Sequence, residues 1–338
     1  LQRKREDRKT DGMISAPVEM FNKASFLTRL VASSVRVSEA AGGLIKNVMA
    51  GGDLKIIDKS EHGSGYDPQT EADRRAQYCI VQSLQKHFKN INIIGEEEDT
   101  TACPEIEMGF SADVLQMERL MSTELKNIQE NDVVVWVDPL DGTSEVALAV
   151  KNKNMALLEQ VTVLIGIAYK GRPVAGIIHQ PYHEKLGRTV WAIQGCGVHG
   201  VVPATGNAQK IVVTTRSHLS ESVSNALEAL KTRNLADSVE KVGGAGFKVL
   251  KVLEGCAAYV FASAGCKKWD TCAVEAVLTA AGGTLTDISG RDIRYEPGVQ
   301  LNNTGGVLAT ASWVKHKDYI DTIPQEIKNM LPEISSKK

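Results

Sequence analysis

What this sequence lacks narrows it first. No apolar run approaches the roughly 18–20 residues that cross a bilayer. The first residues, Leu1-Gln2-Arg3-Lys4-Arg5-Glu6, have none of the apolar core of an export signal. Neither sign of charge dominates: 39 basic residues stand against 41 acidic ones, a net charge of -2. A nucleic-acid-binding surface calls for a basic excess, so that class finds no support. There is no C-x-x-C pair either. The six cysteines, at 79, 103, 196, 256, 266 and 272, are scattered. They read as reduced thiols, not as a disulfide framework or a zinc site. Cys266 lies two residues from Lys268, a placement that more often marks an inert thiol than a reactive one. The expectation is a cytoplasmic monomer with no nucleic-acid and no membrane partner.

What is present is an ordinary globular composition, 43% hydrophobic and 24% charged, with chain enough for a substantial core. Residues 1–20 are polar and read as a disordered extension. Apolar residues then recur at helical spacing from Ser25 to Met49, and Gly51-Gly52 ends that helix. Thr70 and Asp73 form a capping-box pattern, so a second helix starts at Thr70 and runs to about Phe88. Alternating strands with a hairpin at Gly171-Arg172-Pro173 predict an antiparallel sheet over 161–193. From about 210 the pattern changes to alternating strand and helix, ending in a helix near 317–330. This predicts an α/β protein of two units, an N-terminal α+β domain over 21–205 and a C-terminal α/β domain over 206–338. A cleft between them is the natural ligand site.

The chain is organised around Trp136-Val137-Asp138-Pro139-Leu140-Asp141-Gly142-Thr143, which follows the apolar run Val133-Val134-Val135. Pro139 cannot donate to a sheet ladder, so the strand is expected to stop there. Two carboxylates three residues apart, a hydroxyl, and free N–H groups at an opening helix suit a metal ion and a phosphate. A plain polar turn explains a lone D-x-x-D-G about as well. Other acids strengthen the metal reading. Glu96 and Glu97 end a second short strand at Ile91–Ile94; if the two strands are neighbours, both acid groups leave one sheet edge. Asp67 precedes a helix, where a turn role competes. Asp270 sits at another helix start, where an N-cap role competes.

Together, Gly95-Glu96-Glu97, the Asp138–Thr143 stretch and Trp269-Asp270 resemble the lithium-sensitive, magnesium-dependent phosphatases, the superfamily of inositol monophosphatase and fructose-1,6-bisphosphatase. Within it the likeness is nearest to the branch acting on 3′(2′),5′-bisphosphate nucleotides, through Val161–Tyr169, Thr214-Thr215-Arg216-Ser217-His218, Gly243–Gly246 with Lys248, and Tyr259–Ser263. The resemblance implies a layered αβαβα sandwich and hydrolysis of a phosphate monoester. It implies two to three magnesium ions. One is held by Glu96, Asp138 and the Leu140 carbonyl, a second by Asp138, Asp141 and Asp270, and a weaker third near Glu96. Oxygen ligands without histidine suit magnesium. Thr143, hydrogen-bonded to Asp67, is then expected to orient and deprotonate the attacking water. Gly142 and the amides after it would hold the phosphate, and Thr215, His218, Gly244 and Lys248 the rest of the nucleotide.

The implied substrate is a small molecule, adenosine 3′,5′-bisphosphate, cleaved to AMP. 3′-Phosphoadenosine 5′-phosphosulfate and inositol 1,4-bisphosphate are further candidates. The rival readings are an inositol polyphosphate 1-phosphatase and a nucleotide-binding homologue without turnover. The last arises because residues 146–158 run longer than in the nucleotidases and lack an aromatic residue after Glu145. That segment is expected to begin as a helix and then form an extra loop.

Overall fold

The computed structural model describes residues 16–59, 68–98, 100–217 and 219–333. The first long helix, α1 (Phe26–Gly51), buries the predicted stripe, including Leu27, Leu30, Val31 and Ile45. It ends where Gly52 turns left-handed (φ 76) and its N–H bonds to the Met49 carbonyl. Two short strands, β1 (Ile57–Asp58) and β2 (Pro68–Gln69), pair antiparallel before α2 (Glu71–His87). Thr70 and Asp73 form the expected capping box at its start.

The first sheet has six strands: β3 (Asn92–Gly95), β4 (Val133–Asp141), β5 (Thr162–Tyr169), β6 (Arg172–Gln180), β7 (Arg188–Ile193) and β8 (Val198–His199), in that spatial order. Only β3 and β4 run parallel; the rest is the predicted antiparallel meander. All nine residues of β4 are buried. Val133, Val135 and Val137 enter the core under α1 and α2, while Val134 and Trp136 enter the core on the other face. A run that feeds two cores has no polar side, which is why it reads as continuously apolar.

Pro139 does not end β4. The strand runs on to Asp141, and its register against β5 slips between Asp138 and Asp141. Asp138 lies opposite Leu164 and Asp141 opposite Thr162, so two residues of β4 face one of β5. This bulge absorbs the missing proline N–H without breaking the ladder.

After β4 comes α3 (Thr143–Asn152), then a 3-10 segment over Met155–Gln160. The segment expected to form an extra loop is therefore mostly helical, with its kink at Lys153 (φ 51).

The second sheet takes β9 (Ile211–Thr215), β10 (Ser238–Val242), β11 (Ala258–Phe261), β12 (Thr284–Thr286) and β13 (Val307–Thr310) in the spatial order β10-β9-β11-β13-β12. Strands β9, β10 and β11 are parallel. Its helices are α4 (Glu221–Thr232), α5 (Ala245–Leu253), α6 (Lys268–Ala280), α7 (His316–Thr322) and α8 (Gln325–Met330). The last two replace the single helix predicted near 317–330. Ile323 takes an extended conformation before Pro324, as proline's ring requires of the residue preceding it.

α1 and α2 cover the outer face of the first sheet, α5 and α6 lie between the sheets, and α4 and α7 pack outside the second. The layering is αβαβα, as expected. α6 lies close on a floor made by the paired residues Gly166 and Gly176. A Cβ on Gly176 would stand 2.2 Å from the Ala273 carbonyl oxygen. Those two glycines let the helix carrying Asp270 approach the sheet carrying Asp138.

Candidate active site

In the β3–β4 pair, Gly95 stands opposite Val137, so Glu96 and Asp138 leave the same sheet edge. The Glu96 N–H bonds to the Val137 carbonyl at 3.1 Å. Just beyond, Asp138 Oδ1 accepts the Leu140 N–H at 3.1 Å and shapes the bulge. Asp141 is held from the far side of the molecule. Its two oxygens accept the Ala245 and Gly246 N–H groups, each at 2.8 Å, and Oδ2 also accepts the Thr162 hydroxyl at 2.6 Å. An acid from the first sheet thus sits at the N-terminus of α5, where exposed N–H groups favour negative charge. Asp270 is not the N-cap that sequence reasoning weighed against a metal role: Lys267 caps α6, and Asp270, three residues on in the first turn, accepts the Lys267 N–H at 2.7 Å.

One oxygen from each of Asp138, Asp141 and Asp270 lies within 4.8 Å of the others. Burial pushes the Asp138 carboxyl well up from its usual range, and Glu96, Asp141 and Asp270 push it further. Burial likewise raises Glu96 and Asp270, with neighbouring acids adding to both. Acids packed this tightly disfavour one another's ionised forms unless a cation joins them. The donor set is all oxygen, which fits magnesium. Near Glu96, Lys59 Nζ lies 3.1 Å from both Glu96 and Glu97. Glu97, buried beside Glu96, also accepts from Gln69. Sequence reading placed it with Glu96 at the strand end but gave it no ligand role of its own.

Thr143 opens α3 directly after Gly142, whose left-handed φ of 98 turns the chain out of the bulge. The Thr143 hydroxyl has two acceptors for its one hydrogen, Asp73 Oδ1 at 2.9 Å and the Leu140 carbonyl at 3.0 Å. A carboxylate that receives the Thr143 hydroxyl is thus Asp73; Asp67, expected in that role, lies outside the described residues. Asp73 looked fully explained by the capping box. Yet only Oδ2 caps, accepting from Thr70 N and Thr70 Oγ1 at 2.7 and 2.5 Å, and Oδ1 is left for Thr143. Burial pushes the Asp73 carboxyl up to about 6, against the lowering effect of its threonine donors.

These groups share one cavity of about 160 Å³. Glu96, Asp138, Leu140, Asp141, Gly142, Thr143 and Asp270 line one part, and Thr215, Gly244 and Lys248 another. Lys248 is buried; its ammonium bonds to the Gly244 carbonyl at 2.9 Å and lies 5.3 Å from the Tyr259 ring centre. Burial lowers its pKa, opposed by Asp141 and Glu145. Gly244 (φ 61) precedes α5 in a conformation that glycine adopts readily. His218 lies outside the described residues. Of the unusual 144–158 segment, only Ser144 and Glu145 reach the cavity wall, so the segment does not fill it.

Residues 27–328 match the model of the inositol monophosphatase family. The chain is 42% identical over 328 residues to human 3′(2′),5′-bisphosphate nucleotidase 1, spanning 92% of this chain and 99% of that protein. The Dictyostelium discoideum protein of the same name is 34% identical, over 89% of this chain and 98% of its own length. Among solved structures, CysQ from Bacteroides thetaiotaomicron superposes with a TM-score of 0.60 at 22% identity, covering 85% of this chain and 98% of that one. Among the described residues, no helix is long and apolar enough to cross a membrane.

Proposed function

The chain belongs to the inositol monophosphatase family, and from that premise we propose that it is a magnesium-dependent phosphatase removing the 3′-phosphate of adenosine 3′,5′-bisphosphate to give AMP and phosphate. One observation carries the reading. A threonine hydroxyl hydrogen-bonded to a buried carboxylate, Thr143 to Asp73, stands beside the carboxylate cluster of Asp138, Asp141 and Asp270.

Glu96, Asp138 and the Leu140 carbonyl are suited to hold one ion, and Asp138, Asp141 and Asp270 a second; Glu96 is the candidate for a weaker third, in competition with the Lys59 ammonium. Magnesium held there supplies positive charge that acidifies a water and offsets the charge of the phosphate. The chain's own groups move the proton. The water gives a proton to Thr143 Oγ1 as the Thr143 hydrogen passes to Asp73 Oδ1. The resulting hydroxide attacks phosphorus, the bond to the 3′-oxygen breaks, and that oxygen takes up a proton. Gly142 and the first amides of α3 are the candidates for holding phosphate oxygens. Thr215, Gly244 and Lys248, with His218, are the candidates for the remainder of the nucleotide.

A phosphate-release assay at fixed magnesium tests this with adenosine 3′,5′-bisphosphate, 3′-phosphoadenosine 5′-phosphosulfate and inositol 1,4-bisphosphate. The expected result is the highest kcat/KM for adenosine 3′,5′-bisphosphate. A clear preference for the inositol substrate would transfer the protein to the inositol polyphosphate 1-phosphatases. No release from any of the three would favour a binding protein without turnover.

A further inference from the structure

Arg216 and Gly243 directly follow the C-terminal ends of the parallel strands β9 and β10. One side-chain oxygen holds both. Gln160 Oε1 accepts from Arg216 Nη2 at 2.8 Å and from Gly243 N at 2.7 Å. Gln160 does not belong to that sheet; it ends the 3-10 segment leading into β5 of the first sheet. Its backbone carbonyl packs against both glycines of the cavity wall. A Cβ built on Gly142 would stand 3.4 Å from that oxygen, and one on Gly244 2.8 Å. Arg216 has a second tether, since its Nη1 lies 3.6 Å from Glu145 Oε1, a buried oxygen with no hydrogen-bond partner among the described residues. No role in the reaction has been given to Gln160, yet it contacts the edge bearing Gly142 and the edge bearing Gly243 and Gly244.

We propose that Gln160 is a positioning residue that sets the gap between the metal-bearing edge and the Thr215–Lys248 wall, and so the affinity for a substrate with a second phosphate. This rests on the bisphosphate nucleotidase reading above. The physical argument is one of alternatives. Without the Gln160 oxygen, the Gly243 N–H and the Arg216 guanidinium both lose an acceptor in a part-buried place, where an unpaired group is costly. The loop they anchor carries Gly244 and, one turn on, Lys248. That loop would shift at its Gly243–Gly244 end to recover its bonds, while Asp141 keeps its hold on the Ala245 and Gly246 N–H groups and Thr143 stays on Asp73.

The test is steady-state hydrolysis of adenosine 3′,5′-bisphosphate by the full chain, with magnesium titrated separately. Gln160→Leu should raise KM about ten- to a hundredfold, the range for losing one charge-assisted hydrogen bond. The loss should fall on KM and not on kcat, and half-saturating magnesium should stay at its wild-type value. Gln160→Glu keeps the acceptor oxygen and should restore a low KM. If Gln160→Leu does not fold, Gln160→Asn reads the same effect, because an oxygen drawn back by one methylene cannot reach both donors. An unchanged KM overturns the proposal. So does a KM rise accompanied by an equal fall in kcat and a weaker magnesium response, or a failure of Gln160→Glu to rescue. If the wild type hydrolyses inositol 1,4-bisphosphate but not the nucleotide, the substrate reading falls and takes this inference with it. If it hydrolyses the nucleotide and the split is absent, this inference alone falls.

Discussion

The Thr143 hydroxyl lies 2.9 Å from Oδ1 of Asp73, a residue 70 positions earlier in the chain. Helix α2 brings the two together by presenting Asp73 in its first turn. Asp73 thus serves the helix with one oxygen and Thr143 with the other.

That arrangement predicts a pH dependence. The ionised form of Asp73 is the one able to take a proton, and burial pushes its pKa up to about 6. The ionised fraction rises with pH, so the rate should be lost as pH falls through about 6. Asp73→Asn keeps the shape but cannot act as a base, and should lower kcat by about two to four orders of magnitude, the usual span for a general base. Rate–pH profiles of the two proteins check this. A mutant retaining full rate and the same acid limb would remove Asp73 from the mechanism.

Asp141 carries two functions, and the prediction separates them. It is a candidate metal ligand, and it accepts two N–H groups at the start of α5. Asp141→Asn leaves one acceptor oxygen in place of two and removes the charge. We expect a stability loss of about 1–3 kcal/mol, as for a broken charged hydrogen bond, besides near-complete loss of turnover. Saturating magnesium, binding the folded state in preference to the unfolded one, should stabilise the wild type by about 2.7 kcal/mol at a hundred times Kd and so raise its melting temperature. In Asp141→Asn that rise should shrink or vanish. Thermal unfolding with and without magnesium or a chelator reads both effects. Full activity after chelation would end the metal mechanism.

Gly176 should matter although it lies away from the chemistry. A Cβ there would collide with the backbone of α6 at Ala273, which cannot yield as a flexible side chain would. Gly176→Ala should cost about 1–3 kcal/mol or more, the range for overpacking. It should also weaken magnesium binding, because α6 carries Asp270. Denaturant unfolding and a magnesium titration of the folded fraction test this. A neutral result would mean that the helix position is not set by this contact.

Much of this was legible in the sequence because it is local or periodic. The Thr70–Asp73 box, the hairpin at Gly171 and the alternation after residue 210 all announce themselves within a few residues. The common edge of Glu96 and Asp138 was readable as a condition, met once β3 and β4 proved to be neighbours. One reading failed because a local explanation looked complete: a proline ordinarily ends a strand, but a bulge at Pro139 accommodates it. The bond from Thr143 to Asp73 went unread for a like reason, since a capping acid needs no further role. Gln160 had no signal at all, because its importance lies in contacts with residues more than 50 positions away.

Substrate choice is the last matter the structure bears on. The acid cluster needs only a phosphate monoester, so selectivity has to come from the wall bearing Thr215, Gly244 and Lys248. Lys248 is the one of these three with a charge to offer a second phosphate. It is already buried, with its ammonium held by the Gly244 carbonyl and near the Tyr259 ring, so little freedom is lost when an anion binds. Lys248→Ala should raise KM for adenosine 3′,5′-bisphosphate about ten- to a hundredfold and leave a monophosphate such as 3′-AMP much less affected. Removing the ammonium also leaves Glu145 without one of its two neighbouring cations, so Lys248→Arg, which keeps the charge, separates charge from fit. Parallel kinetics on the two substrates decide the matter. An equal loss on both would mean that Lys248 supports the acid cluster and that the second phosphate is recognised elsewhere.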